Sequence, residues 1–411
     1  MLPLTEHWYR RLLVVALILG VGGGVIALVY SGATTFGIDL FFGEPSTELW
    51  SGNWWWILLV SGGALLVALL RGLWAVPEEV PGAIEFARRG WVDPSTAINL
   101  VLVSVVSLFV GASLGPSFGI VVSGGAMGAW IVSRQHATDT EAKEKYALTG
   151  MAGGLGGVFS APLFATVLAT ELSPTPKKDY VTAFIPQFIA ATIGYVIFFG
   201  VTGSAMLDAF DIAGYEYEPL HLVYGALLGL FSVITLLVHA VIGIAGSKLA
   251  GLLKNQYIRA TLGGALVGLI AFALPLTATG GSRQLAYETA NVATLGAGLL
   301  AVVLIGKMIA ISMSQAAGFL GGTVFPILFI GGTAGILVHL MVPDIPVALA
   351  VAAMIAGVPG AIISAPVSFI LIGVGGVGLS VAAIAPIGIT VITAQLIVGG
   401  LKLFKQSRNS M

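Results

Sequence analysis

Two stretches of the chain could bind an ion with little more than backbone. Gly111-Ala-Ser-Leu-Gly-Pro-Ser-Phe-Gly runs on to Gly128, and Gly318-Phe-Leu-Gly-Gly-Thr-Val-Phe-Pro runs on to Gly335. Gly115, Phe118, Ile120, Gly124, Gly125 and Gly128 pair with Gly322, Phe325, Ile327, Gly331, Gly332 and Gly335 at one offset of 207 residues. In each copy a proline, Pro116 or Pro326, falls just inside an expected helix start, where its missing N–H costs nothing. A helix that starts inside an apolar medium aims unpaired N–H groups, and roughly +0.5 charge, at whatever precedes it. Two such starts brought together would hold a small dehydrated anion without a fixed Lys or Arg, and loosely enough to release it. The glycines further along, Gly124, Gly125, Gly128 and their mates, are accounted for by close helix packing alone.

The elements that must position these starts also repeat. Ala152-Gly-Gly-Leu-Gly-Gly-Val-Phe-Ser-Ala-Pro162 returns as Ala356-Gly-Val-Pro-Gly-Ala-Ile-Ile-Ser-Ala-Pro366, and Gly20 and Gly24 match Gly225 and Gly229. The chain therefore divides into two related halves, 1–219 and 220–411. Its 411 residues are 57% hydrophobic and only 9% charged, with a mean hydropathy of +1.01. So few charges cannot cover a soluble globule of this size, which makes lipid the solvent and the chain a polytopic, all-α membrane protein. A net charge of −1 argues against a nucleic-acid partner, and the absence of cysteine removes disulfides, thiolate nucleophiles and sulfur-ligated metals. The five histidines are scattered, so neither a metal site nor a cofactor is expected, and no Ser-His or paired-Asp arrangement suggests an enzyme.

Arg10 and Arg11 precede a first span over Leu12 to Tyr30, and Lys402, Lys405 and Arg408 follow the last apolar run. By the positive-inside rule both termini are expected in the cytoplasm, of a plasma-membrane protein. Trp50 and Trp54 to Trp56 open the next span to about Leu73, and the charged segment 76–95 cannot face lipid. Arg134, Lys143 and Lys145 mark one loop whose counterpart, Met341 to Pro346, has no Lys or Arg; Lys254 and Arg259 correspond to a region near Glu44 and Glu48 that has none either. Matching loops of opposite basicity imply an inverted repeat. Gly153 to Gly157 and Pro162 are expected to break the run Tyr146 to Thr170 into a re-entrant pair, with Lys177 and Lys178 on the side of Lys143 and Lys145. Val181 to Val201 spans again, Lys307 is expected to snorkel or to pair, and no soluble regulatory domain is expected after Leu403.

These residues resemble the CLC family of chloride channels and proton-coupled chloride exchangers. Gly321-Gly-Thr-Val-Phe-Pro326 is similar to the family's G-G-I-F-A-P, Ala112-Ser-Leu-Gly-Pro116 falls where the family has G-R-E-G-P, and Phe159-Ser-Ala-Pro-Leu163 resembles F-N-A-P-L. Gly399-Gly-Leu-Lys-Leu-Phe404 resembles the terminal G-G-x-x-x-Y, and Val80-Pro81 the end of G-S-G-I-P. The resemblance implies an inverted repeat with broken and re-entrant helices, a homodimer, and chloride or a similar small anion as the transported species. It implies anion contacts at Pro81, Gly115, Pro116, Thr323, Val324 and Phe404.

The departures bear on mechanism. Leu114 stands where the family has its gating carboxylate, and Leu172 stands at the inner proton-relay position, with Glu171 beside it. Glu78 or Glu79 falls at the family's anion-coordinating serine. Both expected proton stations being apolar, the chain is expected to be a passive anion channel. The alternative is a proton-coupled anion exchanger that uses Glu78, Glu79 or Glu171 as its gating or proton carboxylate. Leu114 is the residue expected at the gate.

Overall fold

The computed structural model describes residues 4–134, 140–173, 180–203, 212 and 214–409, with the side chains at 140 and 402–409 outside that description; Lys177 and Lys178 also fall outside it. Among the described residues there are sixteen α-helices and no β-strand. The first eight are α1 (His7–Phe41), α2 (Trp55–Leu73), α3 (Ala83–Arg89), α4 (Pro94–Phe109), α5 (Ser117–Arg134), α6 (Thr140–Phe159), α7 (Pro162–Leu172) and α8 (Tyr180–Thr202). The second eight are α9 (His221–Gly251), α10 (Gln256–Ala273), α11 (Ser282–Ala290), α12 (Ala297–Ala316), α13 (Val324–Met341), α14 (Val347–Gly360), α15 (Pro366–Gly376) and α16 (Ile384–Asn409). Eight helical segments are long and apolar enough to cross a bilayer, so the chain is a multi-pass integral membrane protein.

The two sets repeat one plan. α1 and α9 are the long openers, with 35 and 31 residues, α5 and α13 have 18 each, and α7 and α15 have 11 each. Missing side chains let partners within each repeat touch backbone to backbone. A Cβ on Gly20 would lie 2.8 Å from the Ala190 carbonyl oxygen, packing α1 on α8, and one on Gly229 would lie 2.8 Å from that of Thr390, packing α9 on α16. Gly128 and Gly335 do the same for α5 on α6 and α13 on α14: a Cβ would overlap the Tyr146 oxygen in the first pair and lie 2.6 Å from the Ala350 oxygen in the second. This is the small-residue packing that replaces hydrophobic burial where the solvent is itself apolar.

Between the repeats, elements meet their own mates, as they must along a pseudo-two-fold axis. α2 packs on α10, where Ser61 Oγ donates to the Thr261 carbonyl at 2.9 Å. α7 packs on α15. The turn before α5 meets the turn before α13 in a single antiparallel bridge.

The expected break within Tyr146 to Thr170 falls at Pro162 and not at the glycines. α6 runs unbroken through Gly153 to Gly157, which face α1, α5 and α8 rather than interrupting the helix; the chain turns at Ser160, with φ of 51°, immediately before Pro162. Glycines in a membrane helix permit close approach, whereas a proline has no N–H to donate to the preceding turn, so the proline marks the break. The first helix, His7–Phe41, is also longer than the apolar run Leu12 to Tyr30.

Glu171, in the last turn of α7, crosses to the other repeat. Its carboxylate accepts the Val367 N–H at 3.1 Å, the Ser368 N–H at 2.9 Å and the Ser368 hydroxyl at 2.5 Å, at the start of α15. Ala365, at that helix's N-cap, offers no side-chain oxygen, so Glu171 supplies from a distance both the missing acceptor and the favourable charge. Glu171→Gln puts an amide group against these donors and is expected to lower stability by about 1–2 kcal/mol, read as an earlier thermal unfolding of the detergent-solubilised protein.

Candidate functional site

The two repeated turns join at their glycines. The Gly115 N–H donates to the Gly322 carbonyl and the Gly322 N–H donates to the Gly115 carbonyl, both at 2.7 Å. α5 and α13 therefore begin side by side inside the protein, with Ser117, Phe118, Val324 and Phe325 all buried. The N–H groups of a helix's first turn have no acceptor in their own helix, so this junction gathers two positive helix ends in an environment of low dielectric. A Cβ on Gly115 would come within 2.8 Å of Phe325 Cβ, which is why the contact requires glycine.

The third repeated motif completes the junction. Phe159, at the end of α6, stacks on Phe325 with ring centroids 4.6 Å apart and planes at 5°, and meets Phe164 edge-on at 4.9 Å. Beneath the junction lies a small cavity of about 20 Å³, bordered by Ala83, Ser117, Phe159, Leu172 and Val324. The structure thus brings Gly115, Pro116, Thr323, Val324, Leu114 and Leu172 together. Pro116 and Thr323 are half-buried and occupy the positions immediately before α5 and α13.

Leu114 is 1% exposed. Its Cβ lies 2.6 Å from where a Cβ on Gly321 would sit, and its carbonyl oxygen 3.0 Å from the corresponding point on Gly280. The loop that carries Gly280 is held by Lys307 of α12, which is fully buried rather than reaching toward an interface. Lys307 Nζ donates to the carbonyls of Thr277 at 3.1 Å and Thr279 at 2.5 Å and lies 5.1 Å from the centre of the Phe329 ring. Glu288, also fully buried, accepts a hydrogen bond from Thr333 Oγ1 at 2.6 Å. A buried lysine side chain therefore does lie behind the loop facing Leu114, one whose place spacing alone does not reveal.

The acidic loop before α3 is held differently. Arg71, at the end of α2, donates to the carbonyls of Gly318 and Glu78, both at 2.7 Å, and also to that of Pro77. It thereby ties the loop that carries Pro81 to the loop that leads into α13. The Glu78 carboxylate pairs with Arg259 of α10 at 3.2 Å and is largely exposed, as is Glu79. Arg71, Glu78 and Arg259 border a polar cavity of about 110 Å³ that also has Gln256 and Gln315 in its wall. Pro81 is half-buried, three residues beyond Glu78. Phe404 belongs to α16, and its side chain lies outside the described residues.

The fold is an all-helical, multi-span bundle in which the starts of α5 and α13 meet in the interior. Residues 62–399 match the family described as voltage gated chloride channel, and the chain belongs to that family. The chain is 34% identical over 205 residues to an uncharacterized protein of Methanocaldococcus jannaschii. It is 27% identical over 274 residues to YfeO of Salmonella newport, a protein named by inference for ion transport. The matched parts make up 49% and 65% of this chain, and 50% and 64% of those relatives' own lengths. Among solved structures, a slow cyanobacterial Cl−/H+ antiporter is similar with a TM-score of 0.79 and 19% identity, and a CLC-type fluoride/proton antiporter with 0.73 and 18%; each comparison covers 95% of both chains. At those identities the likeness establishes the fold.

Proposed function

We propose that the chain conducts a small anion, chloride or one close to it, passively across the plasma membrane. The observation that carries this reading is the apolar character of both positions at the junction where a proton would be expected to bind. Leu114 is buried against Gly321, Leu172 borders the cavity below, and neither changes charge. Gly115, Pro116, Thr323 and Val324 form the anion's surroundings in this proposal, with Leu114 in the gate position and Pro81 and Phe404 further along the path. The two repeats, divided at 219/220, contribute one helix start each. Both termini are placed in the cytoplasm, the assembly is a homodimer, and no enzymatic step is required.

A second reading has its own support, because the two similar solved structures are proton-coupled antiporters. In that reading Glu78, Glu79 or Glu171 carries the proton. Glu171 is engaged at the start of α15 and Glu78 with Arg259, which leaves Glu79 the least encumbered. Planar-bilayer recordings with equal anion on both sides and a pH gradient separate the two. Passive conduction predicts a reversal potential at zero whatever the gradient. A reversal potential that follows the pH gradient, and is lost in Glu79→Gln, would establish exchange.

A further inference from the structure

We propose that the polar cavity between the ends of α2, α10 and α12 is a binding site for a phosphate group, separate from the junction of the two helix starts. Arg71 of α2, Gln256 and Arg259 of α10, and Gln315 of α12 line it, and all three helices are long and apolar enough to span. The cavity therefore lies where three spans end, at one boundary of the bilayer. Exposed Lys248 and Lys254, at the end of α9 and just before α10, belong to the same boundary.

The charges in its wall do not balance. Half-buried Arg71 donates to the carbonyls of Gly318, Glu78 and Pro77, but among the described residues no carboxylate lies within ion-pair distance of it. Carbonyls orient a guanidinium without neutralising it, and a partly buried charge lacking a counter-ion is costly. Glu78 supplies the one carboxylate among the residues lining the cavity, and Arg259 already takes it at 3.2 Å. Two guanidiniums against one carboxylate leave one positive charge in excess. Donors are also left over: Arg71 Nε, Arg259 Nε and Nη1, and the side-chain amides of Gln256 and Gln315 have no partner among the described residues. Excess positive charge with planar guanidiniums and free amides suits an oxyanion that accepts several hydrogen bonds at once, as a phosphate group does. On a scale where one water needs about 10–15 Å³, the cavity's volume of about 110 Å³ admits a polyatomic anion, and a bare halide would leave most of the donors unfilled. Because Arg71 also holds the Gly318 carbonyl, an occupied site braces the loop that leads into α13. The phosphate belongs either to an anionic lipid headgroup or to a free ion, and the position at the bilayer edge beside exposed lysines favours the lipid.

Two preparations of the purified protein test this. In detergent, sodium phosphate is titrated calorimetrically, and thermal unfolding is compared in sodium phosphate and sodium chloride at equal ionic strength. In nanodiscs, unfolding is compared in phosphatidylcholine with and without phosphatidylglycerol. Wild type is expected to be stabilised by phosphate beyond chloride, by phosphatidylglycerol, or by both. Arg259→Gln is expected to weaken that binding about tenfold, equivalent to about 1.4 kcal/mol. Glu78→Gln breaks the same ion pair but removes the competing carboxylate, so it is expected to bind about threefold more tightly. A pair with only a structural role would lower the stability of both variants and change affinity in neither. If Arg259→Gln yields no folded protein, the gain in Glu78→Gln decides the matter. Stabilisation by phosphatidylglycerol that is lost in Arg259→Gln assigns the site to a lipid headgroup; a response to phosphate alone assigns it to the free ion. Wild type that responds to neither, or folded variants that bind as wild type does, would overturn the proposal.

Discussion

Leu114→Glu is expected to cut anion flux at neutral pH by roughly ten- to thirtyfold, the range allowed by up to about 2 kcal/mol between a charge and a partly buried helix end. The new carboxylate would lie next to the Gly115–Gly322 bridge, where the start of α5 favours its ionised form and where it can take the anion's place. Acidifying the outer solution protonates it and should restore flux, while Leu114→Gln, which cannot ionise, should show no such recovery. The wild-type leucine is 1% exposed and packs against Gly321 and the Gly280 loop, so some destabilisation is expected. Thermal unfolding must therefore accompany the flux assay. A folded Leu114→Glu protein with wild-type flux at every pH would place Leu114 outside the path.

Gly322→Ala should do comparable damage by a different route. The added methyl would enter the space of the Ser117 hydroxyl and press on the Phe118 nitrogen. The hydroxyl can rotate away but the backbone cannot, so the two helix starts must separate. We expect a loss of about 1–3 kcal/mol in stability, typical of overpacking, with flux reduced at least in proportion to the lost site geometry. Gly298 in α12 has open space within 4 Å of where a Cβ would be added and serves as the control. Gly298→Ala should leave flux unchanged and stability equal or slightly higher. Equal behaviour of the two variants would mean that the close approach at Gly322 has no functional weight.

What can be read from the sequence is what repeats. The constant offset of 207 residues pairs the two turns, and those turns do meet, through Gly115 and Gly322. The spans are legible because a bilayer demands apolar length, and the glycines of α5 and α13 because close helix packing demands small residues. The residues that a reading of the sequence misses act through distant partners. Ser117 looks like any polar residue at a helix start until Gly322, 205 positions later, leaves room for its hydroxyl. Arg71 lies at the end of a span, and only the fold shows that it ties the Glu78 loop to Gly318. Lys307 sits in an apolar run that suggests either snorkelling or a structural partner, and only the fold shows that its partners are loop carbonyls 28 and 30 positions earlier in the chain. The break after α6 falls beyond the glycines that suggest it because glycine is ambiguous in a membrane helix, serving close packing as readily as interruption.

The most direct test of the central claim is purified protein in liposomes loaded with chloride, with anion efflux and internal pH recorded in the same experiment. Passive conduction predicts rapid efflux once a potassium ionophore removes the opposing voltage, with internal pH unchanged throughout. Chloride efflux accompanied by proton uptake at a fixed ratio, or proton movement driven uphill by the chloride gradient, would contradict it.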